Sequence, residues 1–451
     1  MLSTLPKSLI SLANACTARL YVVGGSVRDF LGGLTPLCGE RDWDICSTMP
    51  DDEFVSIAKS CGFTVNAVYK NTGTVKLKDS EGVEYEYARF RSDKYVRGVH
   101  TPVETCFTGD ILLDAKRRDF TANAVYFDIV DAGFVDPLDG ITAISEKRLT
   151  TVAPSGKVFG EDGLRLMRLA RFCATLGFTP DKDCFLGAKE NAGLIRDISP
   201  ERILAELSAI LVADKKYGVK NGHYLGVKLL ADLGVLDEIL PELTLGRDMA
   251  QRSDFHKYDV LEHSFRALLY ADERVRLACL LHDIGKPFCR VRDGNSYEHP
   301  REGARIAREV LSRLKASKKS IERVVELVAW HMYDFNCQTS ENKLRRFFVE
   351  HYDILDDLLL VKQADFSACT DDLRVAPTVK KWKALLEKMR LERAPLTVKE
   401  LAVSGKDLQD LGIAPCKIGL ILKKLLLHAV VFPRENEKVR LNKLALGFLE
   451  E

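Results

Sequence analysis

LYVVGGSVRDFLGG (20–33), followed by RDWDI (41–45), is the stretch on which the fold turns. A short apolar run ends in two glycines and passes into a helical VRDFLGG, which reads as strand, tight turn and helix. Asp42 and Asp44 are alternate residues of a second predicted strand, so their side chains share a face. Two carboxylates on one face suit a pair of Mg²⁺ ions, hard cations that take oxygen ligands. Two such ions roughly 3.5–4 Å apart can activate a hydroxyl and stabilise a leaving pyrophosphate. The Gly24-Gly25-Ser26 turn opens a helix, where free backbone N–H groups can hold phosphate oxygens. Taken singly, an alternating acid pair is often a solvated strand edge and a glycine pair only a turn. Their order and spacing carry the reading.

Further along, GTVKLKD (73–79) and VEYEYARF (83–90) alternate at period two, as half-buried strands do. Glu86 is a possible third carboxylate, and a solvent-facing strand position is the equal alternative. AVYFDIVDAGFVDP (124–137) reads as a hairpin pair. Between them lies RRDFTANA (117–124), whose Arg117 and Arg118 offer forked donors for a triphosphate. Asp119 and Asn123 are four apart, which predicts one helix face directed at the ribose and phosphate of a nucleotide. A charge cluster capping a helix is the plainer alternative.

After VAPSGKVFG the pattern becomes helical, with amphipathic segments such as LRLMRLARFCATLGF (164–178), SPERILAELSAIL (199–211) and VLEHSFRALLYA (260–271). Within EDGLRLMR, Asp162 and Arg165 are three apart and are predicted to share a helix face. Cytosine and adenine each present an amine donor beside a ring-nitrogen acceptor, which such a pair can match. Uracil and guanine present the reverse and would leave polar groups unpaired. An ordinary surface ion pair has the same spacing.

LACLLHDIGKP (277–287) sets His282 and Asp283 at the end of an apolar helix, with His263 before and His299, His331 and Asp365 after. Imidazoles and carboxylates in that number suit a divalent metal.

The 451 residues predict several domains. Lys and Arg total 66 against 65 Asp and Glu, which argues against a protein that coats RNA through charge alone and leaves a local basic surface open. Twelve cysteines without a C-x-x-C pair predict reduced thiols and a cytoplasmic protein. The first twenty residues, interrupted by Lys7 and Arg19, predict an amphipathic helix rather than a signal peptide, and no segment is apolar enough to span a membrane.

GGSVRD, RDWD, RRDFTANA, EDGLR and SPERI, in this order, resemble the class II tRNA nucleotidyltransferase and poly(A) polymerase family over about residues 20–211. The resemblance implies an α+β fold: a polymerase-β-like head (1–148), an all-α neck (149–245), an HD-type helical body (246–370) and a helical tail (371–451). It implies Asp42 and Asp44 as the catalytic ligands of Mg²⁺, and nucleotide contacts at Gly25, Arg28, Arg118, Asp119, Asn123 and Arg168. Asp162 and Arg165 would select CTP and ATP for addition to a tRNA 3′ end. A-adding, CC-adding or poly(A) synthesis, and a protein that is chiefly a phosphohydrolase, are the alternatives. Asp114 matches the acidic residue that precedes the RRD motif. Residues 254–365 resemble the HD phosphohydrolase superfamily, implying His263, His282, Asp283 and Asp365 around one divalent metal of unknown identity. His299 and His331 would serve a second metal or the phosphate. GKDL (405–408) and GIAPCKIG (412–419), with Lys417, Lys423 and Lys424, resemble the C-terminal segment of such enzymes and imply RNA contact.

Overall fold

The computed structural model describes residues 1–37, 43–94, 103–254 and 256–450, so Asp42 lies outside the described residues. The chain forms two compact units, Met1–Thr244 with Arg313–Ala316, and Leu245–Ser312 with Ser317–Glu451.

The first unit is built on strands β1 (Tyr21–Val23), β2 (Trp43–Ser47), β3 (Thr64–Tyr69), β4 (Thr74–Lys78), β5 (Glu84–Arg89), β6 (Arg91–Lys94), β7 (Glu104–Phe107), β8 (Tyr126–Asp128) and β9 (Phe134–Val135). Seven of them form one mixed sheet in the order β3-β4-β5-β2-β1-β8-β9, and β6 pairs with β7 as a separate ribbon. β1 is antiparallel to both β2 and β8, and β2 is parallel to β5. Period-two patterning makes these strands: on β5, Tyr85 and Tyr87 are buried while Glu84 and Glu86 are exposed. Tyr87 stacks on Phe54 at 3.7 Å between ring centroids, fixing the helix Asp51–Ser60 to that face. The hairpin expected at 124–137 is present as β8–β9.

Helices follow from Ser155 onward, with Ser199 and Pro200 opening the helix Pro200–Leu211 as expected. Within the helical neck the one strand pairing among the described residues is short: β10 (Arg148–Leu149) at its start pairs in parallel with β11 (Thr179–Pro180). This two-residue pairing clips the start of the neck to the loop after the helix Leu164–Leu176.

The second unit is helical. The helix Val260–Tyr270 packs along Leu355–Thr370, and the short helix Arg276–Leu281 packs against both. The tail carries its own core of Leu408, Ile421, Leu425, Leu426, Ala429 and Leu441. Ser404 and Asp407 form a reciprocal capping box at the helix Gly405–Asp410. The eleven described cysteines are free. No helix among the described residues is long and apolar enough to cross a membrane.

Candidate functional site

β1 ends at Val23, which is level with Asp44 on β2. The chain then turns at Gly24, whose φ of +77° and ψ of −137° suit glycine alone. A Cβ on Gly24 would lie 3.0 Å from Asp44 Oδ2, so the missing side chain lets the carboxylate approach the turn. The helix Gly25–Leu31 starts at this point and presents its first N–H groups there. Glu86 is level with Asp44 on the parallel neighbour β5. Its side chain is half-exposed, pairs with Lys76 Nζ at 3.5 Å, and does not line the cavity described next.

A cavity of about 450 Å³ opens beside this turn. It is lined by Gly25, Arg28, Asp44, Arg118, Asp119, Asn123, Asp162, Arg165 and Arg168, so the structure brings together nearly all the candidate head and neck residues. A buried hydrogen-bonded relay crosses its wall. Arg28 Nη1 donates to Asn123 Oδ1 at 2.7 Å, Asn123 Nδ2 donates to Asp119 Oδ1 at 3.0 Å, and Arg168 Nε donates to Asp119 Oδ2 at 2.8 Å. Arg28 also donates to Asp29, which accepts from the Tyr217 hydroxyl. Burial alone would raise the Asp119 carboxyl, but Arg168 and Asn123 outweigh it and hold it well below the usual carboxylate range.

Two expectations of helical geometry are corrected. Asp119 and Asn123 do meet, but not on an α-helix: Phe120 is bridged to Thr151 and Thr121–Asn123 is a single 3₁₀ turn. Asp162 and Arg165 do not share a helix face. Asp162 is extended (φ −148°, ψ 106°) after the helix Ser155–Glu161, and Arg165 lies in the next helix, Leu164–Leu176. Gly163 between them has helical angles and packs so tightly on the Leu194 carbonyl that a Cβ would lie 2.5 Å from it. Arg165 is held by the carbonyls of Val158 and Arg117 and by Glu161, at 3.0, 2.7 and 3.2 Å.

Several lining residues escaped the sequence reading. Arg171 continues the Arg165–Arg168 spacing of three, a signal that was visible. Phe172 has three guanidinium groups over its ring, those of Arg28, Arg168 and Arg171, within 5.3 Å of its centroid. Lys216 and Tyr217 arrive from far along the chain and gave no local signal. Asp114 is wholly buried and holds both forks of the RRD motif, accepting from Arg117 Nε at 2.7 Å, Arg118 Nη2 at 3.0 Å and the Tyr126 hydroxyl at 2.7 Å.

In the second unit a separate centre forms. His263 Nε2 lies 3.1 Å from His282 Nε2, 3.0 Å from Asp365 Oδ1 and 3.4 Å from Asp283 Oδ2. The other oxygen of Asp283 lies 3.2 Å from His299 Nε2 and 3.7 Å from His331 Nε2, so one carboxylate joins two ligand groups. His282, His299 and His331 each donate Nδ1–H to the carbonyl three residues upstream, at 2.6–2.7 Å. The Nε2 atoms of His299 and His331 therefore carry lone pairs inward and face each other at 3.2 Å. Two lone pairs so close repel unless a cation lies between them, and a neutral imidazole with its other nitrogen pinned is the form that binds metal. The donor set fits a divalent ion. Burial opposes charge on His282, yet Asp283 and Asp365 lift its imidazole to about 10, whereas burial pushes His331 down to about 4.

Comparison with known proteins is consistent across the chain. Residues 20–150 match the Poly A polymerase head domain, 177–245 the probable RNA- and SrmB-binding site of polymerase A, and 256–365 the HD domain. The chain is 35% identical over 257 residues to the CCA-adding enzyme of Lactococcus lactis subsp. lactis, covering 55% of this chain and 60% of that one. It is 30% identical over 312 residues to the multifunctional CCA protein of Stenotrophomonas maltophilia, 66% of this chain and 71% of that one. Similarity to the A-adding tRNA nucleotidyltransferase of Deinococcus radiodurans extends over 90% of both chains at 28% identity. The fold is similar to the crystal structure of the Bacillus stearothermophilus CCA-adding enzyme in complex with CTP, with a TM-score of 0.67 and 23% identity over 99% and 98% of the two chains.

Proposed function

We propose that this chain, which belongs to the class II tRNA nucleotidyltransferase and poly(A) polymerase family, adds C, C and A from CTP and ATP to the 3′ end of cytoplasmic tRNA without a template. The observation that carries the reading is the single cavity on which Asp44, the Gly24–Gly25 turn, the RRD forks and the Asp162–Arg165 pair converge. Asp44 and Asp42 would hold Mg²⁺, which supplies acidification of the 3′-hydroxyl and charge neutralisation at the leaving pyrophosphate. Gly25 and Arg28 meet phosphate oxygens at the helix start. Arg117 and Arg118, braced by Asp114, present fixed forks to the triphosphate. Asp119, Asn123 and Arg168 orient ribose and phosphate through their relay. Asp162 accepts from the exocyclic amine of cytosine or adenine, and Arg165 donates to the ring nitrogen beside it. The head, neck, body and tail division at residues 148, 245 and 370 follows this reading, with Lys417, Lys423 and Lys424 of the tail toward RNA.

A-only addition is retained as a second reading, because similarity to an A-adding relative extends over 90% of both chains. The test supplies Mg²⁺ and labelled CTP or ATP with tRNAs lacking CCA, CA or A. Incorporation of CTP on the shortest substrate is expected, and use of ATP alone on the CC-ended substrate overturns full CCA addition. Asp162→Ala is expected to narrow the preference for C and A over U and G by about tenfold or more while leaving measurable transfer. Unchanged discrimination in that variant contradicts the base-reading role.

The convergent histidine-aspartate centre supports phosphoester hydrolysis in the second unit, with a 2′,3′-cyclic phosphate end as substrate. His263, His282, Asp283 and Asp365 would hold one divalent ion, and His299 and His331 a second ion or the phosphate. The double variant His282→Ala, Asp283→Ala is expected to lose this hydrolysis and keep nucleotide addition. Retained hydrolysis removes the proposal.

A further inference from the structure

Among the described residues, seven cationic side chains line the head cavity. Six are arginines, and each guanidinium is bonded to a carboxylate: Arg28 to Asp29, Arg117 and Arg118 to Asp114, Arg165 to Glu161, Arg168 to Asp119 and Arg171 to Glu206. Lys216 has no carboxylate partner among the described residues. Its ammonium lies 5.5 Å from the centroid of the Tyr217 ring.

Lys216 is half-buried in the last turn of the helix Ala213–Tyr217, and its backbone is firmly held. Its carbonyl accepts from Leu37 N at 2.7 Å, the Tyr217 hydroxyl donates to Asp29, and Gly218 ends the helix at φ +71°. The helix C-terminus favours a cation here, which accounts for a lysine on this turn but not for its direction into a cavity already rich in guanidinium. The six guanidinium charges are each offset by a carboxylate, whereas the Lys216 ammonium is not, so it is the cavity cation whose charge is left for an anionic ligand. The paired guanidinium groups are pre-set forks, whereas lysine is a compact charge on a flexible stem that can follow a ligand.

We propose that Lys216 binds a phosphate group in this cavity as a mobile point charge beside the fixed forks. The proposal deepens the nucleotide reading given above and rests on it. The triphosphate of the incoming nucleotide and a backbone phosphate at the RNA 3′ end share the required chemistry.

Equilibrium binding of CTP, inorganic tripolyphosphate and tRNA lacking CCA, measured for the wild type, Lys216→Met and Lys216→Arg, tests it. Lys216→Met keeps the aliphatic stem and the backbone bond to Leu37, and its melting temperature is read alongside. A loss of about tenfold or more for CTP and tripolyphosphate, largely restored by Lys216→Arg, is expected. A loss confined to tRNA supports phosphate binding and assigns the phosphate to RNA. Unchanged affinity for all three overturns the proposal. Binding is read without turnover, so a wild type that binds CTP but transfers nothing sinks the function reading and leaves this measurement standing.

Discussion

Asp44→Ala is expected to lower nucleotide incorporation by about 10³-fold or more while CTP binding falls far less. The carboxylate is half-buried on β2, level with Val23, and stands against a turn that only glycine can make so tightly. Glu86, level with it on β5, is engaged by Lys76 and does not line the cavity. The six guanidinium groups remain in Asp44→Ala, so the triphosphate keeps most of its contacts. What goes is an interaction that matters when charge moves to the leaving pyrophosphate, and a loss of that kind appears in kcat. Asp44→Asn keeps the shape and is expected to behave like alanine. Initial rates with labelled CTP on a tRNA lacking CCA, alongside equilibrium binding of CTP, read the two effects apart. Activity within tenfold of wild type in both variants would remove Asp44 from the catalytic role.

The second large effect is on stability. Asp114→Ala is expected to destabilise the first unit by about 3–5 kcal/mol, because it leaves two guanidinium groups and a buried phenol without their shared acceptor. In a unit of this size that corresponds to a fall in Tm on the order of 10 °C. Incorporation also falls, since Arg117 and Arg118 lose the group that aims them. Burial alone would raise the Asp114 carboxyl, yet Arg118 and Arg117 outweigh it and hold it well below the usual carboxylate range. A carboxylate depressed in the folded state adds stability that is complete above its unfolded value of about 4 and is lost as pH falls through the folded value. The Tm gap between wild type and Asp114→Ala is therefore expected to be constant near neutral pH and to shrink below about pH 4. A gap that widens on acidification contradicts the assignment.

These two effects share a cause. The cavity walls are made of cations already bonded to acids, so positions are set before a ligand arrives and little reorganisation accompanies binding. Lys216 is the exception in that wall.

The strands, the glycine turn and the carboxylate at Asp44 were legible in the sequence because they depend on local rules. Alternation assigns a strand face, and a glycine pair after an apolar run marks a turn that a neighbouring residue cannot share. The histidine-aspartate set was legible as a list from its residue types: His282, His299 and His331 stand at helix ends, while His263 and Asp365 lie within helices. Helical spacing misled at Asp119–Asn123 and Asp162–Arg165, since the chain leaves the helix at both places. At the second place Asp162 is extended between two helices, and Gly163 beside it packs on the carbonyl of Leu194, thirty-one residues away, an approach no local pattern records. The same holds for Asp114 as the brace of the RRD forks, for the two oxygens of Asp283 joining two ligand groups, and for Lys216 and Tyr217 at the cavity wall. The sequence by itself determined which residue types stand at the ends of which elements, because that follows from periodicity over a few residues. Only the tertiary structure decided which of those ends meet and which charges are left without a partner, because burial and pairing between distant segments are properties of packing.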